Sequence, residues 1–79
     1  MTKLEVLNRL AAARDLTAGA LARQLETTSL EASGMMLLRL MRQGLVVREL
    51  DAGLYIYNLT PKGHARRAFL NTQTSEITD

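Results

Sequence analysis

Cysteine is absent from this chain, so neither disulfides nor thiolate-bound metals can hold it together. There is one histidine, His64, with no carboxylate cluster beside it in sequence, so no metal site is expected. Long apolar runs are missing as well: none approaches the roughly 18 residues needed to span a bilayer. Lys3, Glu5, Arg9 and Arg14 interrupt the apolar positions at the N-terminus, which removes the core of a signal peptide and makes the cytoplasm the expected compartment. No nucleophile–base pair, phosphate-binding loop or suitably spaced carboxylate pair is found. An enzyme is therefore not expected, nor is any cofactor. Aromatic residues make up only 4% of the chain, and tryptophan is missing, so stacking platforms for single-stranded RNA are lacking.

What is present is enough for one small domain. The chain has 79 residues, 47% of them hydrophobic and 23% charged, a mix that argues for a folded globular unit. The formal net charge is +2. From Asn71 onward there are two acids, Glu76 and Asp79, and no base, so the part before it carries ten bases against six acids, or +4. A mildly basic body fits nucleic-acid binding without requiring it.

Apolar periodicity and capping signals divide the chain. Leu4, Leu7, Leu10 and Ala11 recur at helical spacing within Thr2–Arg14, and Thr2 with Glu5 has the form of a capping box. Asp15-Leu16 breaks that pattern. Thr17 can cap a short second helix with Leu21, Ala22 and Leu25 on its inner face. After the polar corner Glu26-Thr27-Thr28, a third helix is expected over about 28–43. Thr28 and Glu31 form its capping signature, Leu30, Leu37, Leu38 and Met41 its inner stripe, and Gly44 its stop. Gly34 in its middle marks either a close approach of another helix or a glycine with no packing role. Val46–Leu50 and Leu54–Leu59 read as a hairpin around Asp51-Ala52-Gly53. Val46, Arg48 and Leu50 should share the core face with Tyr55, Tyr57 and Leu59. Leu54 and Ile56 then project from the other face. Thr60-Pro61 opens a last helix, with Ala65, Ala68 and Phe69 inward and Arg66 and Arg67 outward. The domain is expected to span 1–71, with 72–79 a disordered tail.

The order helix, helix, helix, strand, strand, helix describes an α+β, mainly α, winged helix-turn-helix. Leu16-Thr17, Leu21-Ala22, Gly44-Leu45-Val46-Val47-Arg48 and Tyr57-Asn58-Leu59-Thr60-Pro61-Lys62-Gly63, in that order, resemble bacterial and archaeal winged-helix regulators of the MarR and PadR type. The resemblance covers roughly Thr2 to Leu70 and implies a small transcriptional regulator of double-stranded DNA. It implies that the 28–43 helix enters the major groove, offering Thr27, Thr28, Ser29, Ala32, Ser33, Met35 and Arg39. Arg23, Arg48 and Lys62 would contact the backbone. Two departures from that pattern stand out. Asp51-Ala52-Gly53 carries no base to enter a minor groove. Glu31 is the only charge in the first turn of the third helix, and it either caps that helix or accepts a hydrogen bond from cytosine. Operators are usually bound by dimers, and Leu54, Ile56, Phe69 and Leu70 are the candidate surface for a homodimer or another protein. The alternative reading is a protein-interaction module on the same scaffold, without DNA binding.

Overall fold

A computed structural model describes residues 2–26 and 29–78. Its elements are α1 (Lys3–Ala12), α2 (Ala18–Gln24), α3 (Leu30–Arg42), β1 (Val46–Asp51), β2 (Leu54–Leu59) and α4 (Pro61–Thr78). α1, α2 and α3 bury Leu7, Leu10, Leu21, Leu37 and Leu40 against one another. Leu16, Leu45, Val46 and Tyr57 close the core from the links and the hairpin.

The helix ends follow local chemistry. The Thr2 hydroxyl accepts from the Glu5 amide at 3.1 Å, and the Thr2 amide donates back to the Glu5 carboxylate at 2.9 Å. Those bonds to the charged form hold the Glu5 carboxyl below its ordinary pKa, the backbone one foremost. Thr17 caps α2 through the Ala20 amide. α3 is capped by Ser29, whose hydroxyl accepts from the Ala32 amide at 3.0 Å, one residue later than Thr28. At its far end Gly44 takes φ +76°. There the Gly44 amide donates to Met41 and the Leu45 amide to Leu40, each at 3.0 Å. This double closure suits a left-handed glycine.

The hairpin register pairs Val46 with Leu59, Arg48 with Tyr57 and Leu50 with Tyr55, as the sequence predicts. Its two-residue turn puts Ala52 at φ +50° and Gly53 at +83°, the twist that matches the strands. The Tyr57 amide also donates to the Leu16 carbonyl at 2.7 Å. Beside it, Asp15 and Asn58 exchange two hydrogen bonds of 2.9 and 2.8 Å. The α1–α2 link thus latches onto β2.

Several expectations about faces need correction. Only the base of the hairpin covers the helices: Val46 and Tyr57 are buried, while Arg48, Leu50 and Tyr55 are exposed. Six-residue strands simply reach past the three-helix body. In α3 the buried stripe is Ser33, Leu37 and Leu40. Leu30 and Leu38, expected inside, are exposed, Leu30 at 62%. In α4 the inner face is Gly63, Arg67 and Leu70, whereas Ala65, Ala68 and Phe69 are exposed. Arg67 turns inward because Asn8 on α1 accepts from its Nε at 2.8 Å.

Gly34 has nothing within 4 Å of where a Cβ would sit. The close helix approach falls at Ser33 instead. Gly34→Ala should therefore stabilise the domain by up to about 1 kcal/mol, the ordinary helix-interior penalty of glycine, read as a raised melting temperature by circular dichroism.

Candidate nucleic-acid interface

α3 packs against α2 through one side and leaves the opposite side free. Glu31, Met35, Leu38, Arg39 and Arg42 are exposed there, Met35 at 61%. A bare helix about 10–12 Å across matches the major groove, which is about 12 Å wide. The hairpin projects beside the start of this helix. A shallow groove between them is lined by Thr17, Gly19, Leu30, Leu54 and Tyr55. The Arg48 guanidinium lies over the Tyr55 ring, 4.0 Å from its centroid, which holds that charge along the strand.

No protein-family model matches the chain, and no curated protein does. Solved structures do match. The transcriptional regulator PcaV of Streptomyces coelicolor is 20% identical over 96% of this chain and 57% of its own, with a TM-score of 0.88. A MepR variant from S. aureus bound to an oligodeoxyribonucleotide is 22% identical over 96% of this chain and 58% of its own, with a TM-score of 0.84. An Archaeoglobus fulgidus protein is 16% identical over 98% of this chain and 88% of its own, with a TM-score of 0.83. The element order and these likenesses agree.

The fold is a winged helix-turn-helix. The chain spans little more than half the length of the PcaV and MepR chains. Within this winged helix, α2 and α3 form the helix-turn-helix, Glu26 at φ +39° turns the corner between them, and the β1–β2 hairpin is the wing.

The winged helix gathers some of the sequence-predicted residues and separates others. Met35 and Arg39 lie on the free side of α3; Ala32 is half-buried at its edge. Ser29 is exposed but its oxygen is used as the cap. Ser33 does not face outward. It is 0% exposed, and its hydroxyl lies 3.0 Å from both the Ala18 and Leu30 carbonyl oxygens. A small side chain there lets α2 and α3 approach, which a polar/apolar pattern misreads as a surface position. Thr27 and Thr28 lie outside the described residues. Arg23 is exposed at the end of α2, and Arg48 is on the wing. Lys62 is elsewhere, against Gly44 at the far end of α3. Of the four apolar candidates for a partner surface, Leu54 and Phe69 are exposed. Ile56 and Leu70 are half-buried, and Leu70 packs on the core. Sequence reasoning missed Leu30, Leu38 and Tyr55 as parts of the exposed face. Their apolar character pointed inward, and only the reach of the wing and the phase of α3 expose them.

No helix among the described residues is long and apolar enough to cross a membrane.

Proposed function

We propose that this chain binds double-stranded DNA sequence-specifically, as a cytoplasmic transcriptional regulator rather than an enzyme. The helix at about 28–43 enters the major groove and the wing lies along the backbone. The observation that carries this reading is the free outer side of α3, with Met35 and Arg39 exposed beside a projecting hairpin. The oligodeoxyribonucleotide in the MepR structure supports it by likeness of fold. In this reading Met35 and Ala32 meet thymine methyl groups, Arg39 contacts guanine or a phosphate, and Arg23 and Arg48 contact phosphates. In the same reading Thr27, Thr28 and Ser29 offer hydroxyls to bases or phosphates. The DNA-binding unit is 1–71, and a homodimer presents two such helices to an operator.

Titration with duplex DNA at two salt concentrations tests it. Affinity should fall steeply as salt rises, and Arg39→Ala should weaken binding by about tenfold, or ~1.4 kcal/mol. No complex at low salt would remove the reading.

The second reading, a protein-interaction module, is favoured by one observation. Leu30, Met35, Leu38, Leu54 and Tyr55 are all exposed large hydrophobics, and the wing tip carries Asp51 and no base. A stable protein partner recovered together with absent DNA affinity selects this alternative.

A further inference from the structure

Positive charge gathers at the end of α3 farthest from Leu30 and the wing tip. Lys3 from α1, Arg42 from the end of α3, and Lys62 and Arg66 from the start of α4 line one open cleft of about 440 Å³, with Gln43 and Leu45. That cleft is at the opposite end of α3 from Leu30, about 18 Å away at the ordinary helical rise. Leu54 and Tyr55 at the wing tip share the groove at the Leu30 end; of the cleft's four cations, Arg42 also belongs to the exposed side of α3.

The walls of the cleft are held by backbone geometry. Gly44 ends α3 in a left-handed turn. Gly63 packs so closely on Leu45 that the first turn of α4 rests against the end of α3. The Lys3 ammonium donates to the Gln43 side-chain oxygen at 2.7 Å, tying α1 to the same corner. Among the described residues, the side chains of Arg42, Lys62 and Arg66 make no hydrogen bond or ion pair. Glu5 shares α1 with Lys3, but its carboxylate accepts from the Thr2 amide and lines another depression with Asn8 and Arg9. Asp15, Glu26, Glu31, Glu49 and Asp51 belong to the two interhelical links, the start of α3 and the wing. The four cations therefore add their fields with no carboxylate among the described residues lining the cleft, the arrangement that focuses potential on an anion. A second depression continues from the first. It shares Lys62 and Arg66 and is lined by Ala65 and Phe69, a residue that is 54% exposed.

We propose that this cleft binds a small polyphosphate anion of the nucleotide class. The phosphate chain lies among Lys3, Arg42, Lys62 and Arg66, and the flat base lies against Phe69. Lys and Arg together suit a chain of phosphates, Arg by paired donors and Lys as a point charge. Lys62, Arg66 and Phe69 follow one another on a single face of α4 at helical spacing.

Isothermal titration at low ionic strength with ATP and with inorganic tripolyphosphate tests this. Both should bind saturably and displace one another. The double variant Lys62→Ala/Arg66→Ala should weaken both by about tenfold or more, with an unchanged melting temperature showing that it is folded. Phe69→Ala should weaken ATP at least about fivefold, as loss of a stacking ring does, and leave tripolyphosphate unchanged. The proposal is overturned if neither anion saturates the protein, or if the double variant binds them like the parent. It is equally overturned if duplex DNA affinity falls in step with tripolyphosphate affinity, because the cluster would then be part of the DNA surface. Since the phosphate titration is independent of duplex binding, failure of either reading leaves the other standing.

Discussion

Gly63→Ala should cost about 3 kcal/mol, the upper range for overpacking a filled site. The melting temperature should fall by roughly 10–20 °C, given the few degrees per kcal/mol typical of domains this size. A Cβ built at Gly63 would lie 2.0 Å from the Leu45 carbonyl oxygen and 3.2 Å from a Leu59 methyl. The carbonyl has little freedom to retreat. It accepts from the Thr60 amide at 3.0 Å, and Leu45 itself is held by its amide bond to Leu40. Thr60 is fixed twice more, its hydroxyl donating to the Gly44 carbonyl at 2.6 Å and accepting from the Gly63 amide at 3.0 Å. Alanine must therefore push α4 off the junction of α3 and β1. A thermal melt within about 2 °C of the parent, small against that expectation, would show that α4 shifts freely and that the close contact is not needed.

Ser33→Leu is the second substitution of large effect. Ser33 sits where α2 and α3 touch, and its one donor proton is shared between two carbonyl oxygens at 3.0 Å. Leucine adds two heavy atoms beyond the γ position, directed at the Ala18 backbone, and removes that donor. A loss of about 3 kcal/mol combines overpacking with the lost hydrogen bond. That is a large share of the ~4–12 kcal/mol available to a chain of this length. Ser33→Ala, which keeps the space, should cost only about 1 kcal/mol. Urea denaturation separates the two. Equal midpoints for Ser33→Leu and the parent would mean that this side of α3 is open, returning Ser33 to the groove-facing set.

Ser33 and Gly34 show why one side of α3 was misread. A pattern of apolar residues favours Leu30, Leu37, Leu38 and Met41 as a stripe, but a stripe through Ser33, Leu37 and Leu40 fits a 3.6-residue period equally well. A buried serine needs carbonyl partners; Leu30 is on the same helix, but Ala18 lies on α2 and is invisible before α2 and α3 are brought together. α4 behaves likewise: Arg67 points inward only because Asn8 of α1 waits for its guanidinium. The candidate interface was legible in part. Met35 and Arg39 follow from the family resemblance, whereas the exposed Leu30, Leu54 and Tyr55 follow from how far the wing extends beyond the helices.

Element identity and order could be read from neighbours within a few positions. Thr2, Thr17 and Thr60-Pro61 start helices, Gly44 stops one, and Ala52-Gly53 sets the hairpin register, because capping bonds and positive φ are satisfied locally. Which side of each helix is covered, and where the positive charge collects, depended on contacts between residues far apart in the chain. Lys3, Arg42, Lys62 and Arg66 become one cluster only when Gly63 lets α4 close on Leu45, since charge adds by distance in space and not along the sequence.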